Sequence, residues 1–193
     1  MTATTPVWRT LRIGGIPKSE LLQRLESQGV QLNDAARELF ADDRFAVASA
    51  PSVVSTVERA VADLGFPDGA TMPQLCEAAR GLDPHPCPLE LAPHLRLQWL
   101  DQPEGQGGQP PTQHRAPPGS VTVVSAPISD DDCVPKGFYL RRIAGVLWLR
   151  GYRSDAAHVW SPEDRLLFRG ATGMQPAPPL ESNPARARTR GDA

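Results

Sequence analysis

Proline and glycine punctuate this chain so densely that long regular elements are ruled out. There are 21 prolines and 16 glycines in 193 residues; each proline removes a backbone donor, and each glycine offers a ready stop. Such punctuation predicts short elements, many turns and at least one long irregular segment. With 40% apolar and 22% charged residues, the chain still has enough material for a core. Setting the irregular ends aside leaves about 160 residues, the usual size of one domain with one core.

Charge narrows the partners. The 20 Lys and Arg against 22 Asp and Glu give a net charge of −2, so no long-range field favours nucleic acid or an anionic membrane. Residues Met1 to Pro6 lack a basic and apolar leader pattern, and no apolar run is long enough to span a bilayer. Cys76, Cys87 and Cys133 are odd in number and widely spaced, unlike a disulfide framework. A cytoplasmic protein without membrane contact is the expectation.

Local patterns place the elements. Residues Val7 to Ile13 alternate Val7, Arg9, Leu11 and Ile13 against Trp8, Thr10 and Arg12, the period of a strand. Pro17 then opens a helix with Leu21, Leu22 and Leu25 on one stripe, which Gly29 can close. Asn33 can cap a second helix carrying Ala36, Leu39 and Phe40. Arg44 to Ser49 reads as a strand, with a parallel pairing to residues 7 to 13 open to it. From Ser52 to Leu64, Val54, Val57, Val61 and Leu64 fall at helical spacing, which predicts a helix despite the β-branched residues. Thr71 and Gln74 form a capping box for a helix ending near Gly81.

The second half reads as strands. His94 to Leu100 alternates strictly, with Leu95, Leu97 and Trp99 opposite His94, Arg96 and Gln98. Further strands are expected at Ser120 to Ile128, Phe138 to Ile143, Val146 to Tyr152 and Arg165 to Arg169, with Ala144 and Gly145 joining a tight hairpin. The expected fold is α+β, a helical N-terminal half packed on a mostly antiparallel sheet from the C-terminal half. One domain would cover 7–169, with an irregular inserted loop at 101–119 and a disordered tail at 170–193.

The block CPLELAPHLRLQWLDQP, Cys87 to Pro103, resembles a signature in a group of short bacterial proteins with no assigned activity. The likeness extends to the turn Leu64 to Ala70 and to the stretch Gly137 to Trp160, which contains GFYLRRIAGVLWLRGY; it departs at Asp83 to Pro86. It implies kinship and carries over no substrate, cofactor or mechanism.

Two clusters carry the functional reading. Glu90, His94, Arg96, Gln98, Asp101 and Gln102 concentrate polar chemistry around one expected strand, where Arg96 would clamp an anion and His94 or Asp101 would move a proton. The plain alternative is a strand whose second face meets water. Tyr139, Arg141, Arg142, Trp148, Arg150 and Arg153 crowd the hairpin, where the register sets Arg141 opposite Trp148. That is a recognition surface, or an amphipathic hairpin whose arginines cover apolar area.

Other chemistry is excluded or weak. Cys76, His85, Cys87, His94 and Cys133 lack a Cys-x-x-Cys pair or repeated ligand spacing, so no metal is expected, and no motif calls for a cofactor. There is no Gly-x-Ser-x-Gly elbow, phosphate loop, dinucleotide fingerprint or His-Glu-x-x-His helix. The second helix of a helix-turn-helix over 52 to 81 would offer only Arg80 to phosphates, so specific nucleic-acid binding is not expected.

The preferred reading is a small noncatalytic binding or accessory protein that meets a protein partner or small anionic ligand through Arg96, Gln98, Asp101, Gln102, Tyr139, Arg141 and Trp148. The alternative is a hydrolytic or transfer enzyme at the sheet rim, built from Glu90, His94, Arg96 and Asp101. Oligomeric state is left open.

Overall fold

The computed structural model describes residues 6–81, 85–105, 117–170 and 175–176. Its strands are β1 (Val7–Ile13), β2 (Gln31–Leu32), β3 (Ser52–Ala60), β4 (Ala70–Thr71), β5 (Val121–Val123), β6 (Gly137–Ile143), β7 (Val146–Tyr152), β8 (Val159–Trp160), β9 (Arg165–Arg169) and β10 (Gln175–Pro176). The helices are α1 (Lys18–Ser27), α2 (Asp34–Ala41), α3 (Met72–Gly81) and α4 (Leu91–Gln98). The fold is α+β.

One sheet runs in the order β1-β3-β9-β5-β6-β7-β2, with β10 also paired to β3. The β2–β7 and β5–β9 pairs are parallel and the others antiparallel. Between β1 and β2 the chain crosses from one sheet edge to the other, carrying α1 over the face. The helical half is therefore not separate from the sheet, as expected above, because β1 and β3 belong to it. A second, two-stranded sheet joins β4 to β8.

Two cores sandwich the main sheet. On one face Leu11, Ile13, Val54, Val123, Leu140 and Leu167 pack with residues of α1, α2 and α4. On the other, Val57, Val124, Leu166 and Phe168 pack with Leu75 and Ala79 of α3, Leu64 and Trp160. In β9, Leu166, Leu167 and Phe168 alternate between the two cores, as do Val123 and Val124 at the end of β5.

That sandwich explains the first correction. Residues Ser52–Ala60 are a strand rather than a helix, because β3 has strands on both sides and a core on both faces. Val54 serves one core and Val57 the other. Their helical spacing is the spacing of a strand buried on two faces, and the β-branched residues favour it. The residues beyond form a 3-10 turn at Ala62–Leu64. The helix pair over 52 to 81, on which a helix-turn-helix would rest, is therefore not formed.

The second correction is the reverse. His94 to Leu100 is not a strand: α4 covers Leu91–Gln98, and Leu91 through Arg96 are all buried. A helix enclosed on nearly every side loses the one-stripe pattern, and the polar members of the apparent alternation, His94 and Arg96, are themselves inside. Pro93 is tolerated because it lies in the first turn, where its N–H would have no helical acceptor.

Arg44 to Ser49 is likewise no strand and pairs with no strand. Phe45 enters the core beside Phe40 and Phe138, with ring centroids 5.4 and 5.9 Å away. The backbone bonds elsewhere, Ala48 O accepting from Gly15 N and Ala48 N donating to Glu90 Oε2. The strand expected over Ser120 to Ile128 shortens to β5.

Much else follows local chemistry. Asn33 caps α2 by accepting from Ala36 N at 3.1 Å. Gln74 reaches back to Thr71 N at 2.9 Å. Ala144 and Gly145, both at positive φ, turn the β6–β7 hairpin with Arg141 opposite Trp148. Most of the expected loop and tail, 106–116, 171–174 and 177–193, lies outside the described residues. Gln175–Pro176 adds to β3 antiparallel to Val53 and Ser52.

Candidate binding surface

Helix α4 distributes the first predicted cluster in several directions. Glu90 and His94 lie one turn apart with Gln98 a turn further on, so they share a face, whereas Arg96 projects about 200° away from His94. Asp101 and Gln102 follow the helix. The six do not form one site.

Glu90 and His94 face the β1–α1 connection. His94 Nε2 accepts from Gly14 N at 3.0 Å, which requires a lone pair there and puts the proton of the neutral ring on Nδ1. Burial, with Arg24 nearby, lowers its pKa to about 4. Glu90 Oε2 is 3.9 Å from the ring, too far for a hydrogen bond, and burial raises its pKa against the backbone bond from Ala48. Gln98 works as a piece of strand. It accepts from Arg12 N at 3.1 Å and donates to Arg12 O at 2.7 Å, closing part of the free edge of β1.

Arg96 is wholly buried. Its Nη1 donates to Gln102 Oε1 at 2.5 Å, and Gln102, itself buried, donates to Gly119 O and Leu140 O. Burial and then Arg142 lower the Arg96 pKa to about 10, with exposed Asp101 opposing.

Sequence reasoning missed the group beside it. Glu58 of β3 bridges Arg9 of β1 at 2.8 Å and Arg165 of β9 at 2.9 Å. Arg9 also lies over the Trp99 ring at 4.0 Å. The signal was present in β1, where Arg9 shares the parity of Leu11 and Ile13, because a charge on a core-facing parity needs a partner.

Three clefts line this rim. One, of about 640 Å³, is lined by Arg12, Arg24, His94 and Gln98. A second, of about 490 Å³, is lined by Arg9, Glu58, Trp99, Asp101, Gln102 and Arg165. A third, of about 670 Å³, shares Gln98 with the first and Arg9, Trp99 and Asp101 with the second. His94 and Asp101 therefore do not converge in one cleft, the arrangement that acid–base chemistry at this rim requires.

The hairpin cluster stays together. Tyr139 is opposite Arg150 and Arg141 opposite Trp148, so all four share the face of the sheet away from α4. Arg150 lies over Trp148 at 5.1 Å and over Tyr139 at 6.0 Å. Burial raises the Tyr139 pKa, opposed by Arg150 and Arg141. Arg153 instead pairs with Glu38 of α2.

Among the described residues, no group of three His, Cys, Asp or Glu is placed to hold a metal. Cys87 is buried in the main core and Cys133 is exposed. Among the described residues, no helix is long and apolar enough to cross a membrane. Nothing among protein-family models, curated proteins or solved structures matches this chain. The reading of the surface rests on its geometry.

Proposed function

We propose that the protein is a noncatalytic binding module of the cytoplasm that recognises an acidic segment of a protein partner through the outer face of the β6–β7 hairpin. The observation that carries this reading is the in-register group Tyr139, Arg141, Trp148 and Arg150. Neither Arg141 nor Arg150 has a carboxylate partner among the described residues, and Arg150 is stacked on aromatic rings. A guanidinium held on a ring keeps its charge available while its stem covers apolar surface. Trp, Tyr and Arg dominate interface energetics, and two unpaired cations favour a partner of opposite charge. Of the other residues, Gln102 reaches the inner side of the hairpin by donating to Leu140 O, with Arg96 bonded to it, whereas Gln98 is bonded to Arg12 on β1.

Fluorescence anisotropy with a labelled oligo-glutamate peptide tests the reading. Binding should weaken with salt and fall about tenfold in Arg141→Ala and in Arg150→Ala, the loss of one charge-assisted contact. Equal binding by wild type and both variants would remove the hairpin from the function.

A further inference from the structure

Arg96 has a feature that the hairpin surface does not explain. Its Nε and Nη2 are buried and have no hydrogen-bond partner among the described residues, and its one bond, from Nη1, goes to a neutral amide. A guanidinium remains cationic at neutral pH even when burial lowers its pKa to about 10. Buried charges are ordinarily paired, because burying one without a counter-charge is costly.

The two unsatisfied atoms are a matched pair. Nε–H and Nη2–H point the same way along one edge of the guanidinium, the edge that grips two oxygens of a carboxylate or phosphate side-on. Two other arginines of this chain use the same edge on carboxylates: Arg24 reaches Glu20 at 3.1 and 2.5 Å, and Arg44 reaches Asp42 at 2.9 and 2.6 Å. Arg96 has no such carboxylate. A second cation stands on the same side of the sheet: Arg142 shares the parity of Leu140 on β6, whose carbonyl accepts from Gln102, and its buried Nε also lacks a partner among the described residues. Exposed Asp101 is the acid that acts on Arg96, opposing the effect of burial.

We propose that Arg96, assisted by Arg142, is a binding site for a small oxyanion, a carboxylate or phosphate gripped along the Nε–Nη2 edge. The site lies on the α4 side of the sheet, whereas Arg141 and Trp148 face the other way, so it is separate from the hairpin surface. The 490 Å³ cleft adjoins it: Trp99 and Gln102 line that cleft, and Arg96 lies 5.9 Å from the Trp99 ring and is bonded to Gln102. Glu104, on the same cleft wall, is tied to Gly145 N at 3.2 Å. Arg9 and Arg165, also lining it, are tied to Glu58.

The test is isothermal titration of the full chain with inorganic phosphate and, separately, with acetate in a buffer without other oxyanions. Saturable binding of either anion is expected, and which of the two binds distinguishes a phosphate site from a carboxylate site. Affinity should fall about tenfold or more in Arg96→Met and in Arg142→Gln, and stay unchanged in Arg44→Ala, whose guanidinium is already held by Asp42. If Arg96→Met does not fold, Arg142→Gln, at a half-exposed position, carries the same comparison. Absence of saturable binding by both anions overturns the proposal. Undiminished binding by Arg142→Gln together with any folded Arg96→Met overturns it as well.

Discussion

Asn33 and Gly151 exchange two hydrogen bonds, Gly151 N donating to Asn33 Oδ1 at 2.8 Å and Asn33 Nδ2 donating to Gly151 O at 3.0 Å. The same Asn33 Oδ1 accepts from Ala36 N at the start of α2. One side chain therefore caps a helix and extends the sheet edge beyond β2. Gly151 makes the approach possible, since a Cβ there would lie 2.5 Å from the Ala35 carbonyl carbon. The pair locks α2 onto the inner face of β7, whose outer face carries Trp148 and Arg150.

Removing either member should loosen that contact by different routes. Asn33→Ala loses the cap and both strand-like bonds and should cost about 1–2 kcal/mol. Gly151→Ala forces backbone apart and should cost about 1–3 kcal/mol, the range for overpacking. Urea unfolding measures both; a Gly151→Ala protein as stable as wild type would show that α2 can shift at no cost.

Acid should destabilise the protein through His94. Its folded pKa, about 4, lies below the ordinary 6.5, chiefly because burial disfavours the charged ring. The unfolded chain therefore binds the proton first, and the contribution is intact above pH 6.5 and lost as pH falls toward 4. A gap of that size corresponds to roughly 3 kcal/mol. Glu90, with its pKa raised by burial, has the opposite sign: its protonated form is favoured in the fold, so it subtracts stability as pH rises above the ordinary carboxyl range. His94→Gln should flatten the stability curve between pH 6.5 and 4, and Glu90→Gln should steepen it. Parallel curves for wild type and His94→Gln would refute the assignment.

Glu58 holds three strands by charge. Its carboxylate, largely buried in β3, meets Arg9 on β1 and Arg165 on β9, both partly exposed. Glu58→Ala leaves two arginines facing each other and should cost about 2–3 kcal/mol, less than a fully buried pair because water screens the arginines. Denaturation at low and high salt would show the loss shrinking as salt rises; a loss of under about 0.5 kcal/mol at low salt would mean that the network is a solvated surface feature.

Thiol labelling should separate two cysteines by burial alone. Cys133 is exposed and should react at once, whereas Cys87 is buried in the core with its thiol pKa raised by burial. Cys87 should react only at the rate of global opening, accelerating with urea in step with unfolding. Fast labelling of Cys87 in native buffer would show that the region around α4 opens locally.

Some of this was legible in the chain. Gly29 and Asn33 bracket their helices, Gln74 boxes α3, and Ala144 and Gly145 set a hairpin register that brings Arg141 to Trp148, because these signals act within a few residues. Tyr139, Arg141, Trp148 and Arg150 come to one face for that reason. Arg96 and Gln98, neighbours on the expected strand face, lie instead on different sides of a helix.

Tertiary structure decided the rest, and for one physical reason. Hydrophobic periodicity reports the secondary structure of an element that buries one side. In β3 both faces are buried, so Val54 and Val57 imitate a helix; in α4 nearly every side is buried, so Leu95, Arg96 and Leu97 imitate a strand. Contacts such as Arg9 with Glu58 and Trp99, or Arg165 with Glu58, join residues far apart in the chain, and no local pattern encodes which charge meets which. The sequence by itself determined the short elements, their caps and the hairpin; only packing decided what each buried polar group would face.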